Sequence, residues 1–226
     1  MTPETIAAGL ADRLRQRTAA LHAEAERSGI VREMLRGAAS RRGHALLLRN
    51  LLPAYQALER GLAAHAASPG VRWTAQPEVF RAAAIEHDLA LLAGPGWREA
   101  LALLPAGIRY GRQAAAAGEG DGARLVAHAY VRYLGDLSGG RLLRRRLATV
   151  PGIGPAMLSF YDFPAIADLD AFRRDYRAAI DRAGGELADA EPVVEEAALA
   201  FSLNIELSEA VLEAQAERGG SRSRPL

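Results

Sequence analysis

The stretch YVRYLGDLSGG, residues 130–140, places an arginine, an aspartate and three glycines within eleven residues of what reads as one long helix, about Arg124 to Leu147. At 100° per residue, Arg132, Gly135, Asp136, Gly139 and Leu143 fall on nearly one face, with Gly140 at its edge. The centre of that face is bare of side chains, so another body can approach the backbone closely. Each glycine inside a helix costs about 0.5–1 kcal/mol relative to alanine, so the approach must return something. A second helix is one candidate body and a flat ligand is the other. Arg132 and Asp136 favour the ligand, because a dry helix contact would have to desolvate and pair both charges. An aspartate beside open backbone can also order water next to a bound group, and such water carries protons.

The far side of a flat ligand needs a group of its own, and the chain has five histidines. His22 follows Arg15 by seven residues, nearly the same helix face, and precedes Glu26 by one turn. Glu26 can accept the N–H of the ring nitrogen that does not ligate, which fixes the tautomer and raises the basicity of the other. A neutral imidazole with a cation two turns away suits a metal-bearing planar ligand with peripheral carboxylates. His128 is the rival, one turn before Arg132, but its helix already supplies the glycine face, and one helix does not conveniently serve both sides of a disc. His44, His65 and His87 have no neighbours that set them apart. Arg173 and Arg177, at i and i+4, offer two more cations on one face, and Phe201 with Asn204 would line a wall from the last helix.

Helices must position all of these groups. Hydrophobic residues make up 50% of the 226, dominated by Ala and Leu, and no stretch alternates with the period of a strand. The expected fold is all-α, a single multihelical domain over residues 1–215, with a polar Gly/Ser/Arg-rich tail at 216–226. Thr2 and Pro3 look like the start of a first helix carrying Ile6, Leu10, Leu14 and Leu21. Further helices are expected at 30–36, 40–66, 77–92, 96–117, 124–147, 168–183 and 188–215, with Pro- and Gly-rich connectors at 68–78 and 149–164.

Composition excludes several chemistries. The chain has no cysteine, so thiolate nucleophiles, disulfides and iron–sulfur ligation are out. It also has no lysine, since all 28 basic residues are arginine, which removes Schiff-base and Walker-type chemistry. Arginine instead stays charged and forks onto carboxylates. A net charge of +1 gives no argument for nucleic acid or an acidic membrane surface. The short apolar runs and charged N-terminus suggest a soluble, cytoplasmic protein without a membrane span.

These residues carry a resemblance to the biliverdin-producing heme oxygenases, of the soluble bacterial type. YVRYLGDLSGG resembles the distal-helix signature of that family and LRQRTAALHAEAE (14–26) its proximal-histidine helix. PEVFRAAAIEHDLA (77–90), FYDFP (160–164), AFRRDYR (171–177) and AFSLNIEL (200–207) extend the likeness over about residues 10–210. The resemblance implies heme b, both cofactor and substrate, sandwiched between the first helix and a kinked glycine helix, with His22 as axial iron ligand. It implies cleavage of heme to biliverdin, carbon monoxide and ferrous iron by O2 and electrons from an external reductase. Asp136 would organise the distal water that delivers protons, with Tyr55 and Arg132 in the same polar network. Gly135 and Gly139 would lie over the iron, with Ser138 and Gly140 beside the ring. Arg15, Tyr130, Arg173 and Arg177 match propionate-binding positions.

Three features depart from the pattern. Arginine stands at 15 and 173 where the family often has lysine, which bears on heme orientation and so on which meso carbon reacts. Val131 replaces a common hydroxyl residue. No counterpart of the membrane anchor of animal members is expected. The run Arg141, Arg144, Arg145, Arg146 is a candidate dock for a ferredoxin or flavoprotein donor, and a bilin-accepting protein is a further expected partner. The alternative to an enzyme is a non-catalytic heme carrier or sensor, which would have no use for Asp136.

Overall fold

The computed structural model describes residues 8–220, with side chains placed to 216, and every regular element among them is helical. The Thr2–Pro3 start lies outside the described residues. Helix α1 (Leu10–Ala25) packs along α10 (Glu191–Gly220), and two arginines on α1 fasten the pair: Arg13 to Glu191 at 2.7 Å and Arg17 to Glu195 at 2.8 Å. The last helix runs to Gly220, past the boundary expected at 215 and into the stretch read as tail. Helix α2 (Gly29–Arg36) leads to α3 (Arg41–Ala64), where the Ser40 hydroxyl accepts from the Gly43 amide at 3.0 Å and caps the start.

Two expected helices are each broken by a polar side chain of α3. The stretch read as one helix over 77–92 is a single turn (Pro77–Val79) followed by α4 (Ala82–Ala93). Glu59 accepts from the Arg81 and Ala82 amides and so caps α4 from outside its own chain segment. The stretch read as 96–117 is one turn, α5 (Trp97–Ala100), and then α6 (Pro105–Ala116). Between them the buried Asn50 donates to Ala102 O and accepts from the Leu104 amide, holding the chain extended ahead of Pro105. Helix α6 then lies close along α3. A Cβ at Gly107 would stand 2.6 Å from Asn50 Oδ1, and one at Gly111 2.7 Å from Pro53 Cβ.

The long helix expected over 124–147 is interrupted where the chemistry is. Helix α7 (Leu125–Ala129) widens into a π-turn at Tyr130–Leu134 before α8 (Gly135–Leu147) resumes. A π-turn adds a residue to the turn and rotates everything after it, a feature frequent at functional sites. Behind α8, Asp88 accepts from the amides of Ser159 and Phe160 and from the Ser159 hydroxyl, at 2.6–2.9 Å. That anchor fixes the turn Ser159–Tyr161 and lays Phe160 and Tyr161 beside the α8 backbone. Finally, α9 (Leu169–Glu186), capped by Asp168, crosses near α1.

Candidate functional site

The cleft lies between α1 and the α7–π–α8 segment, closed at one end by α9 and along its back by α10. It has two lobes with a shared middle. The outer lobe, about 430 Å³, is lined by Arg15, His22, Tyr130, Val131, Leu134, Gly135, Ser138, Arg173, Arg174, Arg177 and Phe201. The inner lobe, about 150 Å³, has His22, Val131, Gly135 and Phe201 in common with it and adds Glu26, Arg132, Asp136, Gly140, Phe160, Tyr161 and Asn204.

The middle has a bare wall facing a histidine. A Cβ built on Gly135 or on Gly139 would meet nothing within 4 Å, so neither glycine is there to admit a packed neighbour. Gly139 is exposed on this face without being a wall residue of either lobe. Gly140 differs, since its Cβ would touch the Tyr161 ring at 3.6 Å. Across from them, His22 is more than half exposed and its ring sits 5.8 Å from that of Phe201. Its Nδ1 is 3.7 Å from Glu26 Oε1, longer than a hydrogen bond, so the expected hydrogen bond to Glu26 is not made in this geometry. His128 is fully committed elsewhere: it is buried, and its Nε2 lies 2.9 Å from the buried Glu196.

The inner lobe ends in a linked set of polar groups. Arg132 donates from Nε to the Tyr55 hydroxyl (3.0 Å) and from Nη1 to Asn204 Oδ1 (2.6 Å), and its Nη2 lies 3.5 Å from Asp136 Oδ1. Tyr55 in turn donates to Asp136 Oδ2 at 2.6 Å. Only 12% of the Arg132 side chain and 9% of the Asp136 side chain is exposed. Burial pushes the Asp136 carboxyl above the ordinary aspartate range, against the pull of Arg132 and the Tyr55 hydrogen bond. Burial also opposes the Arg132 cation, yet the oxygens of Tyr55, Tyr110 and Asp136 around it hold its pKa above the usual arginine value. Asp136 is thus a carboxyl with a raised proton affinity at the wall of an apolar cleft, gripped from behind by two donors.

The outer lobe is cationic. Arg15, Arg173, Arg174 and Arg177 converge there with the Tyr130 side chain. Burial raises the Tyr130 phenol, partly offset by a hydrogen bond with Thr18 and by Arg177 and Arg15. Arg174 was not singled out from the sequence, although its position beside Arg173 in AFRRDYR was the available signal. Also missed were the apolar walls Leu134, Leu47 and Leu51, which look in sequence like any other core residues.

The residues fit a flat, iron-bearing dicarboxylate: a histidine on one side, unfilled glycine backbone on the other, and arginines at one edge. The heme oxygenase family model matches residues 8–210. The chain belongs to the heme oxygenase family. It is 36% identical to human heme oxygenase 1 over 215 residues, 93% of this chain and 74% of that protein. It is 35% identical to heme oxygenase 1 of Synechocystis, over 88% of this chain and 82% of that one. The crystal structure of Synechocystis heme oxygenase-1 in complex with heme superposes with a TM-score of 0.84 at 31% identity, covering 95% of this chain and 97% of that chain. The heme oxygenase of Leptospira interrogans gives 0.83 at 29% identity, over 90% and 100%. The heme oxygenase fold therefore accounts for the all-helical architecture, and the two lobes open between its first helix and its interrupted glycine helix. No described helix is long and apolar enough to cross a membrane.

Proposed function

We propose that this heme oxygenase holds heme in the cleft with His22 toward the iron, and opens the ring to biliverdin, carbon monoxide and ferrous iron. Bound heme supplies the redox-active iron and the meso carbon that is oxidised, with O2 and external electrons as co-reactants. The observation that carries the reading is the opposition of His22 to the open Gly135 backbone across a cleft with an arginine-lined edge.

The protein's own groups divide the work. Arg15, Arg173 and Arg177, with Tyr130, set the orientation of the ring by engaging its two propionates, and arginine suits that task because its fork matches a carboxylate. Gly135 and Gly139 would leave room for a diatomic gas on their side of a bound ring, while Val131, Phe160, Tyr161 and Phe201 would limit bulk water there. Asp136 presents its carboxyl at the cleft wall, where it can order a water that carries protons to the bound group. The Tyr55 hydroxyl, by a hydrogen bond, and the Arg132 guanidinium, at 3.5 Å, orient that carboxyl. Ser138, on the wall of the outer lobe, would face the edge of a bound ring.

Electrons come from a ferredoxin or flavoprotein that docks near the arginine run of α8. Within that run Arg141 pairs with Asp170 and Arg144 with Asp162, which leaves Arg145 and Arg146 as the exposed cations for an acidic partner. The setting is the cytoplasm, where such donors and a bilin acceptor are found.

The test is to titrate hemin into the purified protein and then supply ascorbate or a ferredoxin reductase system in air. Loss of the Soret band with growth of a broad red absorption is the expected result. A heme spectrum that survives repeated reduction would instead mark a carrier or sensor.

A further inference from the structure

Helix α1 places an acid among the cations of the cleft mouth. Asp12 lies one turn before Arg15, and a single oxygen of it, Oδ1, is 2.8 Å from Arg177 Nη2 and 3.4 Å from Arg15 Nε. The two arginines come from different helices, α9 and α1, and both line the outer lobe, whereas Asp12 itself does not. Asp170 stands similarly beside Arg173, at 3.7 Å, while Arg174 has no ion-pair partner among the described residues. With Asp170 shared between Arg173 and Arg141, the four arginines of the mouth outnumber the carboxylates beside them, which suits an anionic ligand.

We infer that Asp12 is a built-in stand-in for a substrate carboxylate, a positioning residue that occupies Arg15 and Arg177 in the free protein and competes with the incoming propionate for them. The inference rests on the heme reading above. Asp12 bridges α1 and α9 across the entrance, so it holds both cations in place when no ligand is present and relieves their mutual repulsion. The same charge opposes any carboxylate that approaches them. The ring-opened product keeps both carboxylates of heme, so Asp12 weakens retention of product as well as of substrate. All three side chains are 40–64% exposed, so the competition is modest and salt-sensitive.

The test compares hemin with hemin dimethyl ester, which has the same ring and iron without the carboxylates, on the full chain and on Asp12→Asn and Asp12→Glu. Asp12→Asn should bind hemin about threefold more tightly at low ionic strength, the scale of an exposed ion pair. The gain should vanish with the dimethyl ester and shrink in high salt, and Asp12→Glu should behave as the unaltered chain. Biliverdin should dissociate from Asp12→Asn slower by a similar factor. The thermal midpoint of ligand-free Asp12→Asn should fall slightly, and hemin should restore it. Hemin binding that is unchanged or weaker in Asp12→Asn, while the unaltered chain binds normally, would overturn this inference alone. An equal gain with the dimethyl ester would overturn it too, since it would assign Asp12 to the helix start and not to carboxylate competition. Failure of the unaltered chain to bind hemin would overturn both this inference and the heme reading.

Discussion

The two ends of the cleft hold similar residue types under opposite conditions. At the mouth, Arg15, Arg173 and Arg177 are roughly half exposed, their partners Asp12 and Asp170 are too, and each contact is one that water can replace. At the inner end, Arg132 and Asp136 are almost wholly buried, with Tyr55 and Asn204 completing their hydrogen bonds. Exposed charges attract, orient and let go, each contributing about 0–1 kcal/mol. Buried ones must be fully paired to be tolerated, and they hold a fixed geometry and a shifted proton affinity in return. In the proposed function, binding accordingly belongs to the mouth and proton handling to the inner end.

The comparison breaks first at the hinge between the ends. His22→Ala should leave a protein that folds but whose hemin complex lacks the spectrum of an axial imidazole, measured by absorption and electron paramagnetic resonance. An unchanged spectrum would move the ligand elsewhere. The next largest effect is on stability. Arg132→Ala leaves a buried Asp136 carboxylate without its cation and Asn204 without its donor, and should cost about 3–5 kcal/mol in urea unfolding, far more than any mouth arginine.

A third prediction uses pH. His44 is buried against Tyr161, neither ring nitrogen has a partner, and burial lowers its pKa to about 3. The unfolded chain binds a proton at this ring near the ordinary value of about 6.5, and the folded chain does not until far lower pH. Stability from this group is therefore complete above about pH 6.5 and falls as pH drops toward 3, by about 2 kcal/mol at pH 5. His44→Phe should keep the stack on Tyr161 and flatten that slope, read from unfolding curves between pH 5 and 7. The smallest effect is at the mouth: Arg177→Ala should raise the hemin Kd only a few-fold, and added salt should erase most of the difference.

The sequence made much of this legible, and the misses have physical reasons. The all-helical class and the opposition of His22 to the glycine face could be read because helical period and missing Cβ atoms are local properties. The helix breaks at 80–82 and 101–104 could not, because the groups that make them, Glu59 and Asn50, lie on a different helix. The π-turn at Tyr130–Leu134 was hidden for a different reason: nothing in the residue types of YVRYL distinguishes it from a continuing α-helix. Arg132, Asp136, Tyr55 and Asn204 are joined by hydrogen bonds and one ion contact, although spacing along the chain suggests for Asn204 only a place on a pocket wall. The tie of Asp12 to Arg177 comes from the crossing of α1 by α9, which no spacing along the chain encodes.

The most direct test of the division of labour is a single-turnover comparison of the unaltered chain with Asp136→Ala, each loaded with hemin and supplied with electrons in air. The account predicts that Asp136→Ala binds hemin with unchanged affinity while ring opening slows by about 100-fold or more, the scale of a lost proton donor. Undiminished biliverdin formation by Asp136→Ala, or loss of hemin binding with no separate effect on the rate, would contradict it.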